Sequence, residues 1–168
     1  ASRLTIDANE ASRVFHIDDN GPDDRAYSIS GLTITGGKTA TSGEQDSGGG
    51  LYLEPSFDRV PLTLANIVFT GNQAGRQGGA ISVSGANLTL VNAHLVGNSV
   101  AGGFQPKGGG LYADRTTLLV ERSRIVDNDA ELVGGGIAMA SPGISATISG
   151  SLVPGNTPTL SGAGMNVG

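Results

Sequence analysis

The chain contains no cysteine. Disulfide staples and thiolate metal centres are therefore excluded, although a redox compartment is not assigned by that absence alone. Charge is scarce: Asp, Glu, Lys and Arg together make 15% of the residues, with a formal net charge of −5 and a pI near 4.8. A nucleic-acid binder needs a basic face, so no nucleic-acid partner is expected. No apolar run approaches the roughly 18 residues of a membrane-spanning helix. The first residues show no secretory leader, and a chain opening at Ala1 reads as a mature form or as a piece of a longer one. Proline is limited to 7 residues, and the apolar residues fall in regular short runs, which argues against general disorder. Glycine is abundant, 28 of 168 residues, yet no Gly-x-y triplet runs through the chain, so collagen is excluded. Helical periodicity is missing too: Thr, Val, Ile and Gly dominate the repeated stretches, which disfavours helical solenoids.

What is present is a repeat. Gly48-Gly49-Gly50-Leu51-Tyr52-Leu53 returns as Gly78-Gly79-Ala80-Ile81-Ser82-Val83, as Gly108-Gly109-Gly110-Leu111-Tyr112-Ala113 and as Gly134-Gly135-Gly136-Ile137-Ala138-Met139. A weaker copy is Gly162-Ala163-Gly164-Met165-Asn166-Val167. The steps are 30, 30, 26 and 28 residues, a period that signals a solenoid. Each period carries three apolar runs, for example Ala80–Val83, Leu88–Leu90 and Ala93–Val96, parted by turn residues. Short runs alternating with period two describe one turn of a parallel β-helix. Propeller blades of about 40–50 residues fit this spacing poorly.

The expected fold is therefore all-β: a single-stranded parallel β-helix of about six turns of ~28 residues, with three short strands per turn and a length of roughly 30 Å. It is read as one domain over 1–168, with irregular first turns over 1–35 and regular repeats over 36–168. Alternation assigns three inward columns. They are Leu51/Ile81/Leu111/Ile137, Leu64/Leu90/Val120/Ile148 and Phe69/Leu95/Ile125/Val153. Asn72, Asn98, Asn128 and Asn156 recur after the third run. Asn tolerates the left-handed backbone a corner needs, and stacked amides can bond up a column. A ligand-binding row of amides is the competing reading, and the structural ladder is adopted. Gly49, Gly79, Gly109 and Gly135 are assigned a structural role as well, where the backbone bends and neighbouring turns approach. No Gly-Lys-Ser/Thr follows any triplet, so a phosphate loop is not indicated. Inserts fall at 38–47, 54–61 and 101–107, and in solenoids such inserts often gather on a binding face.

Phe69-Thr70-Gly71-Asn72 followed by Gly78-Gly79-Ala80-Ile81 resembles the paired Phe-x-x-Asn and Gly-Gly-Ala-Ile repeats of polymorphic outer-membrane proteins. Those are autotransporter-type surface adhesins. The wider pattern is similar to right-handed β-helix repeats of bacterial surfaces, over roughly residues 29–168. The resemblance implies an extracellular, cell-surface module.

Charged residues on the outer face form solvated salt bridges more often than they do chemistry. His16 with Asp18, and Asp114 with Arg115, Arg122 and Arg124, are the best enzyme candidates, and Glu121 is expected near Arg124. No Asp pair on one strand is visible, and no catalytic residue is assigned. Asp18, Asp19, Asp23 and Asp24 are weak Ca²⁺ candidates in an oxygen-rich segment, against the simpler reading of a charged turn at Asn20-Gly21-Pro22. No other cofactor is expected. His94 is expected to point outward beside Val68 and Arg124. Tyr52 and Tyr112 take equivalent outward positions, for sugar stacking or for packing under an insert. Asn87-Leu88-Thr89 is a glycosylation sequon at a strand start. The functional expectation is an extracellular structural or adhesive module, stacking end to end into a surface filament, with a glycan or host-surface ligand. The alternative is a polysaccharide lyase or hydrolase using carboxylates near Asp114.

Overall fold

The computed structural model describes residues 3–18, 25–40, 46–54, 59–141, 145–158 and 164–167. Every element among them is a strand, and every strand pairing is parallel. The chain winds as a single-stranded parallel β-solenoid of about 5 turns of ~30 residues, with partial turns at each end, rather than six turns of ~28.

Four sheets run along the stack. The first holds Phe15–Ile17, Leu51–Leu53, Ile81–Ser84, Leu111–Asp114, Ile137–Ala140 and Met165–Val167. The second holds Tyr27–Ser30, Val60–Ala65, Ala86–Val91, Thr117–Glu121 and Ala146–Ser149. The third holds Leu4–Asp7, Leu32–Thr35, Val68–Thr70, His94–Val96 and Arg124–Val126. The fourth corrects the expected three strands per turn. It is made of two-residue strands, Gln73–Ala74, Ser99–Val100, Asp129–Ala130 and Thr157–Pro158. A two-residue strand shows no alternation, so its pattern is invisible in the sequence. Its inward members Ala74, Val100 and Ala130 are nonetheless fully buried.

The opening strands join these sheets in register: Leu4–Asp7 pairs with Leu32–Thr35, and Phe15–Ile17 with Leu51–Leu53. The apolar run 29–34 is divided between two strands, Tyr27–Ser30 and Leu32–Thr35. Gly31, at φ +75°, turns the chain from the second sheet into the third.

The interior follows the alternation. Leu51, Ile81, Leu111 and Ile137 stand in one register column and are all fully buried. Leu64, Leu90 and Val120 form a second, continued by the partly buried Ile148. Phe69, Leu95 and Ile125 form a third, with Val153 partly buried against it. Leu62, Leu88 and Leu118 add another column on the second sheet. Each large aliphatic side chain so buried contributes roughly 1.5–3 kcal/mol. No turn buries its apolar face alone, so cohesion comes from neighbour on neighbour.

Candidate functional site

Among the described residues, polar side chains gather at the corner between the third and fourth sheets and on the outer side of the first sheet.

At the corner, the backbone reverses on the residue before each asparagine. Gly71, Gly97, Asp127 and Gly155 have φ between +55° and +70°. The asparagines themselves are not left-handed, which corrects the reason for their recurrence. Freed from the bend, Asn72, Asn98, Asn128 and Asn156 turn their amides into the stack and are buried. Asn72 Nδ2 donates to Asn98 Oδ1 (3.0 Å), Asn98 Nδ2 to Asn128 Oδ1 (2.9 Å) and Asn128 Nδ2 to Asn156 Oδ1 (3.0 Å). Each Oδ1 also accepts the backbone N–H of the preceding turn's asparagine, at 3.0 Å in all three cases. The second amide hydrogen goes to a backbone carbonyl, such as Phe69 O from Asn98 (3.0 Å) and Leu95 O from Asn128 (2.9 Å). The ladder is thus internally saturated. On the turn before it, Gly37 takes the place, and its N–H donates to Asn72 Oδ1 at 3.0 Å. A side chain there would collide with Gly49 O, 2.0 Å from an ideal Cβ.

The triplets divide their work. Gly48, Gly78, Gly108 and Gly134 carry positive φ of 63–68° and make the bend. The middle glycines sit where turns touch: a Cβ on Gly109 would lie 2.3 Å from Asp129 O and 2.5 Å from Gly135 O.

On the first sheet, Phe15–Ile17 and Leu51–Leu53 bring His16 beside Tyr52. His16 Nε2 meets Glu54 Oε1 at 2.7 Å, not Asp18, and the rings of His16 and Tyr52 lie 5.4 Å apart. Arg13 stacks over Tyr52 with its guanidinium carbon 4.7 Å from the ring centroid. Its Nε and Nη2 donate to Ser47 O at 3.1 and 2.8 Å, and Nε also to Gly48 O at 3.1 Å. Burial lowers the Arg13 pKa from its ordinary value, opposed by Tyr52, Asp46 and Glu54. Arg13 therefore pins the first triplet to the turn before it, a role no sequence pattern marked. Tyr52 and Tyr112 flank Ser82, which is only 3% exposed although it points outward. Burial, and then Asp114, raise the Tyr112 pKa.

Asp114 is held at the end of its strand. Oδ2 accepts from Ser84 Oγ (3.2 Å) and lies 3.4 Å from Arg115 Nε, while Oδ1 accepts from Ser141 Oγ. Glu121 pairs with Arg122 at 3.7 Å rather than being drawn to Arg124. Arg124 instead stands in line with His94 and Val68, as expected. Alternation gives no polar role to Thr116 or Ser123, yet both are buried. Their hydroxyls accept from Ala86 N (3.4 Å) and Ala93 N (3.0 Å) of the previous turn. The signal was there: Ser123 occupies a place where other turns carry Ile67 and Ala93. Of the proposed Ca²⁺ residues, Asp19, Asp23 and Asp24 lie outside the described residues. Among the described residues no three His, Asp or Glu side chains gather as metal ligands, and no helix is long and apolar enough to cross a membrane.

The molecule so defined is a parallel β-solenoid with a buried amide ladder. No family model matches the chain, and no solved structure matches it. It is similar to the probable autotransporter YfaL of Escherichia coli (strain K12), with 35% identity over 88 residues. That alignment takes in 49% of this chain and 6% of the relative, so the chain spans a small fraction of the protein it matches.

Proposed function

We propose that the chain is a β-helix module of a bacterial surface protein, displayed outside the cell and serving as a rigid structural and adhesive spacer. The similarity to a probable autotransporter carries this reading. The solenoid is compatible with it: the buried residues are spent on repeating one turn, which sets length rather than encloses a cavity. Immunolabelling of intact, unpermeabilised source cells with antibody against the purified chain tests it. Surface labelling is the expected result. Labelling only after permeabilisation overturns it.

The finer part of the proposal is end-to-end stacking. Leu4, on the edge strand of the third sheet, is 68% exposed although it shares the inward parity of Ile6, which stands in register with the buried Ile34. A strand edge with exposed apolar residues is a template for a further turn. Electron microscopy over a range of protein concentration is expected to show rods that lengthen by whole molecules. Rods of constant length at all concentrations remove the filament and leave the display module. Steady release of oligosaccharides from a polysaccharide by purified protein would replace both with a lyase or hydrolase.

A further inference from the structure

Outside the asparagine ladder, the surface of the same corner carries a small polar cleft of ≈170 Å³. Its lining is Glu10, Lys38, Gln73 and Ser99 around the glycines Gly37, Gly71 and Gly97. The cleft exists because of which residues make the bend. Gly71 and Gly97 are the left-handed corner residues of consecutive turns, and a Cβ on Gly97 would meet nothing within 4 Å. One turn later the same place is taken by Asp127, whose side chain covers the corner: its Oδ1 lies 2.3 Å from an ideal Cβ on Gly155. The floor at Gly71 and Gly97 is thus bare backbone, open to a flat ligand.

Donors and acceptors are mixed around that floor. Lys38 Nζ lies 2.8 Å from Glu10 Oε2, so the wall offers an ammonium and a carboxylate that cancel in charge. Gln73 and Ser99 stand in register one turn apart and add an amide and a hydroxyl. A cation would meet the ammonium, and an anion the carboxylate. A neutral polyol uses both at once. The volume is below the range of drug-sized pockets and has room for a single ring. From this geometry we infer that the corner cleft is a subsite for one neutral monosaccharide unit of a surface glycan, with Glu10 accepting from its hydroxyls and Lys38, Gln73 and Ser99 bonding to its oxygens. The inference rests on the adhesive part of the proposal above.

The test is an amide-resolved NMR titration of the chain with neutral methyl glycosides of glucose, galactose and N-acetylglucosamine, with sodium sulfate as the anionic probe. Shifts are expected at Gly37, Gly71, Gln73, Gly97 and Ser99 for at least one glycoside. Gly97→Asn should weaken binding about tenfold, because its side chain fills the cleft. Asn tolerates that backbone, and Asp127 shows that the position accepts a side chain, so the fold should survive. Glu10→Gln, at the exposed rim, should weaken binding severalfold. Gly31→Asn, at another corner where Asn66 and Asn92 already stand, should leave it unchanged. No shift at these amides, equal affinity in Gly97→Asn with its spectrum otherwise native, or stronger perturbation by sulfate than by every glycoside would each overturn the inference. Surface labelling is a separate experiment, so the module can stand while the subsite falls.

Discussion

Two corners of this solenoid use asparagine, and they use it oppositely. Between the second and third sheets, Asn66 and Asn92 are themselves the left-handed residues, at φ 50° and 48°. Their side chains stay at the surface, where Asn92 Nδ2 donates to Asn66 Oδ1 at 2.8 Å. Gly31, Arg122 and Gly150 hold the same place in other turns, at φ 75°, 47° and 55°. Between the third and fourth sheets the bend belongs to the preceding residue, and the asparagine amide is buried. The lesson is that recurrence alone does not give an asparagine its role. A surface amide exchanges one water contact for one protein contact and nets little, whereas a buried amide that loses its partners leaves unsatisfied groups costing about 1–3 kcal/mol.

The difference between interior and surface can be broken outright with Leu95→Asp. Leu95 is fully buried between Phe69 and Ile125. An unpaired carboxylate there should cost about 4 kcal/mol or more and unfold the stack in a urea melt followed by circular dichroism. An unchanged midpoint would mean that this column does not face inward. Asn98→Ala comes next. It removes the donor to Phe69 O and Asn128 Oδ1 and the acceptor for two Asn72 groups, all buried. A loss of about 3 kcal/mol is expected from the same melt. The surface corner should respond less. Asn92→Ala should cost about 1 kcal/mol, mainly backbone strain at positive φ, while Asn92→Gly should be nearly neutral. If Asn92→Ala cost as much as Asn98→Ala, the contrast between the corners would be gone.

The smallest effect is a titration. The His94 pKa is lowered, chiefly by burial, then by Arg3 and Arg124. The unfolded chain therefore holds the proton more tightly than the native one. Native stability should be unaffected by this group above its ordinary value of 6.5 and should fall as pH drops from 6.5 toward the lowered value. His94→Gln should flatten that limb of the stability profile. A limb identical in variant and parent would assign the pH dependence to other groups.

The interior was legible because alternation is a direct imprint of a half-buried strand: Leu90 and Val120 could be placed by counting from Gly79 and Gly109. The fourth sheet was not, since Ser99–Val100 is too short to show a period. The amide ladder was legible as a recurrence but not as a geometry. Only φ at Gly97, set by the positions of two sheets, reveals which residue bends and which bonds. Arg13 was silent for a different reason. Its partners Ser47 O, Gly48 O and Tyr52 lie over thirty residues on, and no local pattern links them.

The sequence by itself determined the stack. A fixed period, triplets of glycine and alternating apolar runs leave a parallel solenoid as the arrangement that buries every column, because each turn supplies what the next one needs. Tertiary structure decided everything that depends on distance between turns. It set the depth of each asparagine, the pairing of His16 with Glu54 and the open floor at Gly71 and Gly97. These rest on backbone angles and on contacts across neighbouring turns, and a linear pattern carries neither.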